Sequence, residues 1–142
     1  MRYEGYLKGM NECGLAAAPD LVYFPNTDET LTSRQIGYQG TKRLLNSNKS
    51  IDAIMVAADH LAVGAIQYLK QQGIRVPQDV SVIGFDNNEL CEVIEPSLTT
   101  IAQPINLLGI KAAKVLFDKI ERKNEKTVRL FFEGELKQRG ST

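Results

Sequence analysis

"VSVIGFDNNE", residues 80–89, decides the fold. Val80, Val82, Ile83 and Phe85 are β-formers in a short run bounded by turn residues, the form of a strand buried inside a sheet. The run stops on Asp86, Asn87, Asn88 and Glu89. That polar end is either a solvated turn or a mouth that grips something polar.

Working outward, each strand alternates with a helix. Upstream lies a helix opened by Asp59, with Leu61, Ala62, Ala65, Ile66 and Leu69 at helical spacing until Gly73. Before it, "IDAIMVAA" (51–58) is apolar on both faces, as buried parallel strands are. Earlier still the spacing predicts a helix from Arg2 to Cys13, a strand at "LVYFP" (21–25) and a helix from about Glu29 to Asn46. This order is that of an α/β domain with parallel strands and right-handed crossovers.

After Asp86 the pattern changes. A loop carrying Leu90, Cys91, Val93 and Ile94 leads to the β-rich "SLTTIAQP" (97–104). Pro104 opens an amphipathic helix on Ile105, Leu108, Ala112, Val115, Leu116 and Ile120. "NEK" (124–126) turns the chain, and "TVRLFFEGELKQRG" (127–140) reads as one bent strand or a hairpin broken at Gly134. The chain begins on a helix, whereas open doubly wound sheets grow outward from a first strand in their interior. The isolated chain is therefore expected to be aggregation-prone, swapped or visibly incomplete at the centre of its sheet.

At 142 residues there is room for one ordinary domain. Seventeen basic and seventeen acidic side chains cancel, which makes this stretch a poor DNA-gripping surface. No apolar run approaches the roughly 18 residues of a membrane span, and no apolar leader follows Met1. Cys13 and Cys91 lack metal-ligand spacing and His60 is the only histidine, so neither a zinc site nor any cofactor is expected. Two unpaired thiols fit a reducing, cytoplasmic compartment.

Ligands of open parallel sheets bind beyond the carboxyl ends of the strands. Those ends are Asn26 and Asp28, Ala58-Asp59-His60, and Asp86-Asn87-Asn88. Such a rim suits a hydroxyl-rich small molecule, because each carboxylate or amide can hold two vicinal hydroxyls. Asp86 is the leading candidate, although turn chemistry explains it equally well. Asp59 reads first as a helix cap and second as a ligand contact. His60 reads first as solvated, and Phe85 first as core, then as a platform for the face of a ring. Asp59, Asp86 and Glu89 have the oxygen chemistry for Mg²⁺ in a phosphotransfer enzyme, yet no basic or nucleophilic partner accompanies them. "GFDNNE" (84–89) is no phosphate loop, "GYQG" (37–40) lies within a helix pattern, and no G-x-S-x-G elbow is present.

The stretch "DHLAVGAIQYLKQQGIRVPQDVSVIGFDNNELCEVIEPSLTTIAQP" (59–104), preceded by "RYEGYLKGMNECGL" (2–15), resembles the LacI/GalR family of bacterial transcription regulators. The motifs are D-x-x-A-x-G-A, G-I-x-V-P-x-D-V-S-V-I-G-F-D, P-x-L-T-T-I-x-Q-P and R-x-x-G-aromatic, in the right order. The resemblance implies a periplasmic-binding-protein-like core, a three-layer α/β/α fold with a mostly parallel sheet and two lobes gripping an effector. Residues 1–97 would form most of the C-terminal lobe, with its first strand absent. Residues 98–124 would form a crossover and a helix packed on the other lobe, and 125–142 a return strand. The helix-turn-helix domain would lie upstream, so DNA is reached only through it.

By position, Arg2 matches an effector-contacting arginine and Asp86 the acid that holds effector hydroxyls. Ala58 stands where a polar residue is common, which removes one expected hydrogen bond. Val63 and the loop Leu90, Val93 and Ile94 match a homodimer surface, against which stands packing within the chain. The implied function is a non-enzymatic repressor or activator sensing a sugar, sugar phosphate or related metabolite. A periplasmic sugar-binding protein is the alternative, and the metal-dependent enzyme ranks third.

Overall fold

The computed structural model describes residues 2–25, 31–47, 50–121 and 127–142. Helix α1 spans Arg2–Glu12 and ends at Gly14, whose φ of +70° is left-handed backbone that glycine enters freely. The strand expected at 21–25 does not form. Pro19–Leu21 makes a 3-10 turn, and residues 22–25 continue without a ladder partner. A run of β-formers becomes a strand only where a neighbour pairs its backbone, and here none does. Tyr23 instead lies over Gly40, where a Cβ would stand 2.6 Å from its ring. Asn26 and Asp28 lie outside the described residues.

Helix α2 (Ser33–Leu45) starts where Thr32 and Gln35 satisfy each other's backbone amides in a capping box. Strand β1 (Ala53–Met55) leads to helix α3 (Asp59–Gln71). Helices α2 and α3 touch backbone to backbone. A Cβ on Gly64 would stand 1.9 Å from the Arg34 carbonyl oxygen, and one on Gly37 1.9 Å from that of Leu61. Tyr38 and Tyr68 close the crossing edge to face at 5.0 Å.

Strand β2 (Ser81–Asp86), the short helix α4 (Leu90–Val93), strand β3 (Thr99–Ala102), helix α5 (Ile105–Ile120) and strand β4 (Glu135–Lys137) complete the order. The sheet runs β1-β2-β3-β4. Its first three strands are parallel, with Ile54 opposite Val82 and Gly84 opposite Thr100, and β4 is antiparallel to β3. Three parallel strands were expected, but the third is 99–102 rather than 21–25. Among the described residues the sheet has no central gap.

Strand β1 is an edge. Ile54 is buried while Ala53 and Met55 are exposed, so the reading of 51–58 as covered on both faces fails for want of a layer outside it. The core joins α3 to the sheet through Ile54, Ala62, Ile66, Leu69, Val80, Val82, Cys91 and Leu98. Helix α5 forms as its periodicity predicts, yet buries no residue. Of the stretch 127–140 only Glu135–Lys137 is strand, and the turn at 124–126 lies outside the described residues. Beyond β4, buried Ser141 stitches two strands together. Its hydroxyl accepts from the Thr99 amide at 2.8 Å and donates to the Val82 carbonyl at 2.6 Å. No helix of the described residues is long and apolar enough to cross a membrane.

Candidate functional site

Strands β2 and β3 are parallel and in register, so their carboxyl ends finish side by side, at Asp86 and Ala102. From the end of β2 the Asp86 carboxylate accepts from two side chains. The Arg2 guanidinium, at the start of α1, donates across 3.2 Å, and the Gln103 amide, one residue past β3, donates across 2.6 Å. The other arm of Arg2 donates to the Ala57 carbonyl at 2.6 Å, beyond the end of β1. The same guanidinium lies 4.2 Å over the Phe85 ring, where the negative face of the π-system attracts it. Phe85 is thus half-buried beneath a cation, neither core nor a bare platform. Three elements, α1, β2 and the end of β3, bring a carboxylate, a guanidinium, an amide and a ring to one half-exposed spot.

The turn after Asp86 is strained. Asp86 has φ +112° and Asn87 φ +57°, left-handed backbone that side-chain-bearing residues seldom adopt. It is held from below by Asp59, which is fully buried. One oxygen of Asp59 accepts from the Thr100 hydroxyl at 2.6 Å and the other from the Asn88 amide at 2.9 Å. Asp59 does not cap α3, because Ala58 is the cap residue and makes no side-chain bond. Its carboxylate lies beneath the rim rather than on it. Gly84 makes the room, since a Cβ there would stand 2.3 Å from the Asp59 carboxylate.

His60 is exposed at the edge of the same turn. The Asn88 side-chain oxygen accepts from the Leu90 amide at 3.0 Å, which turns its NH₂ toward His60 Nδ1 at 3.1 Å. The Asn88 side chain is therefore taken up by Leu90 and His60, and the Asn87 side-chain oxygen accepts from the Arg139 guanidinium at 2.9 Å. Among the described residues no group of three or more His, Cys, Asp or Glu stands close enough to hold a metal ion.

Residues 1–142 match the model of the periplasmic binding protein-like domain. The chain belongs to that family. It is 35% identical over 141 residues to the HTH-type transcriptional regulator RegA of Clostridium saccharobutylicum, covering 99% of this chain and 41% of that one. Its fold is similar to that of the transcriptional regulator CelR in its cellobiose complex (TM-score 0.90, 30% identity, 99% of this chain and 42% of that one). A LacI family regulator from Enterococcus faecium with bound ribose is also similar (TM-score 0.78, 34% identity, 99% and 50%). The chain spans about two fifths of the length of the curated relatives it matches. Within the periplasmic binding protein-like family it is a LacI-type member, as the motifs at 59–104 indicate.

Two of the apolar positions expected on a LacI-type dimer surface lie together. Val63 and Ile94 line a shallow groove of about 340 Å³ with Ile66, Gln67, Lys70 and Glu95. Ile94 also packs on the core, and Leu90 is half-buried, so part of this loop serves the chain itself. Val93 does not, being 76% exposed on α4.

Two rim-shaping residues escaped sequence reasoning. Gln103 was discoverable, because it follows a strand that obeys the same carboxyl-end rule as β2. Arg139 had no local signal. It reaches Asn87 across 52 residues of sequence at 2.9 Å.

Proposed function

We propose that the chain is the effector-binding and dimerisation part of a ligand-responsive, DNA-binding transcriptional regulator, with a sugar, sugar phosphate or related metabolite as effector. The observation that carries this reading is the meeting of Arg2, Asp86 and Gln103 at the ends of β2 and β3. A vicinal diol can donate to the Asp86 carboxylate while accepting from the Arg2 fork, and that fork equally suits a phosphate. Phe85 and His60 flank this point, and Asp59 sets its height from beneath.

Residues 1–97 and 125–142 form one lobe in this reading, and 98–124 cross to a second. The exposure of Ile105, Ile110, Leu116 and Phe117 on α5 supports a covering lobe there. Effector binding between lobes favours their closure, and closure alters how a homodimer joined through Val63, Leu90, Val93 and Ile94 presents helix-turn-helix heads to DNA. The neutral charge of this stretch agrees with DNA contacts made elsewhere in the protein. The reading is non-enzymatic and cytoplasmic.

Calorimetric titration of the full-length protein with ribose and with cellobiose tests it. Asp86→Ala is expected to weaken binding by about ten-fold or more, as loss of a charged hydrogen-bond acceptor does, with unfolding still cooperative. Unchanged affinity would remove Asp86 from the site. Failure of the wild type to bind either sugar would exclude both as effectors.

A further inference from the structure

Arg139 sits just past β4, with its side chain 16% exposed. Its backbone amide donates to the Thr99 hydroxyl at 2.8 Å, and one guanidinium nitrogen to the Leu98 carbonyl at 3.0 Å. These fix the guanidinium against the start of β3. The other nitrogen is shared. It donates to the Asn87 side-chain oxygen at 2.9 Å and to the Glu92 carboxylate at 3.1 Å. Asn87 is the second of the two left-handed residues and adjoins Asp86, while Glu92 belongs to α4, beside exposed Val93.

We propose that Arg139 is a positioning residue that ties α4 to the Asp86–Asn87 turn, so that displacement of either is felt by the other. The inference rests on the proposed function only for what the two ends do, effector contact and pairing, and not for the tie itself. A left-handed residue persists where its surroundings over-determine it, and among the described residues Arg139 supplies the side-chain bond to Asn87 that also leads to a surface helix. A planar fork holds donors on separate nitrogens in fixed directions, a geometry that the single nitrogen of an ammonium does not reproduce. Glu92 is 73% exposed, so its attraction is weak in stability terms. It nonetheless draws the shared nitrogen toward α4.

The test is amide hydrogen exchange by mass spectrometry on the full-length protein, with no effector added. Glu92→Ala, which removes the acceptor that glutamine would keep, is expected to speed exchange in fragments covering 87–90 by about five-fold, as loss of one charged hydrogen bond's worth of protection would, leaving fragments of α3 and β2 unchanged. In an Arg139→Gln background the same Glu92→Ala change should add less than about two-fold, the non-additivity of groups acting through a shared partner. If Arg139→Gln does not fold, Arg139→Lys serves as the background, with the same loss of coupling expected. An equal acceleration in both backgrounds, or none where Arg139 is intact, overturns the tie. Loss of ribose or cellobiose binding bears on the proposed function alone.

Discussion

The Asp59 carboxylate, at the first residue of α3, stands 2.6 Å from the Thr100 hydroxyl in the middle of the sheet, and both residues are wholly buried. That carboxylate also takes the Asn88 amide, so it joins helix, sheet and the strained turn in one place. Replacing Asp59 with alanine leaves the buried Thr100 hydroxyl and the part-buried Asn88 amide without their acceptor, a loss of about 2–4 kcal/mol by urea unfolding. Asp59→Asn keeps one acceptor but turns an NH₂ toward the other donor, so its loss should be smaller. If Asp59→Ala unfolds like the wild type, Asp59 is not what holds the turn.

The crossing of α2 and α3 leaves no room for a side chain at Gly64. The Arg34 carbonyl oxygen would be 1.9 Å, and the Tyr38 amide nitrogen 2.8 Å, from a new Cβ. Backbone cannot swing aside as a flexible side chain can. Gly64→Ala is therefore expected to destabilise by about 3 kcal/mol, at the upper end of ordinary overpacking. Gly5→Ala, at a position on α1 with nothing within 4 Å, is the control. It should be neutral or slightly stabilising, since alanine is the better helix former.

The two cysteines should behave oppositely. Burial pushes the Cys91 thiol from 9.0 up to about 12, and the neighbouring Asp59 carboxylate adds to the shift through its hydrogen bond and its charge. Cys13 is exposed. Iodoacetamide at pH 8 is expected to alkylate Cys13 in the native protein and Cys91 only after denaturant is added, as peptide mass spectrometry will show. The sign of the linkage follows from the raised value: the fold favours the thiol. This contribution is complete below pH 9 and is lost as pH rises toward about 12. Rapid native alkylation of Cys91 would contradict the packing around α4.

Much of the site was legible because it is local. The run 81–86 announces a buried strand, and its tip carries the acid that Arg2 meets. What was not legible depends on partners far apart in sequence. Asp59 looks like a helix cap because an aspartate ahead of apolar residues at helical spacing normally is one. Thr100 and Asn88, 41 and 29 residues later, are what hold it inward. Gly84 held a clue, since a glycine inside a strand often marks a close approach, here that of Asp59. "LVYFP" failed for the reverse reason. Its residues suit a strand, but strand formation also needs a neighbour, and β1 pairs on one side only. Helix α5 was readable as a helix from its period, whereas its lack of cover could not be read from the period at all.

Asp86 combines a chemical role with an awkward backbone. Its φ of +112° is a region that glycine enters freely and other residues enter at a cost of about 1–3 kcal/mol. Asp86→Ala and Asp86→Gly both delete the carboxylate, with its half-exposed ion pair to Arg2 and its bond to Gln103. Their difference therefore isolates the backbone. The glycine variant should be the more stable by about 1 kcal/mol in parallel thermal unfolding, the lower end of that cost after allowing for glycine's greater freedom when unfolded. Both should lose the proposed effector contact alike. An alanine variant as stable as the glycine one would mean that the turn relaxes once the carboxylate is gone. The left-handed backbone would then be a consequence of the Arg2 and Gln103 contacts rather than a shape the fold imposes on Asp86.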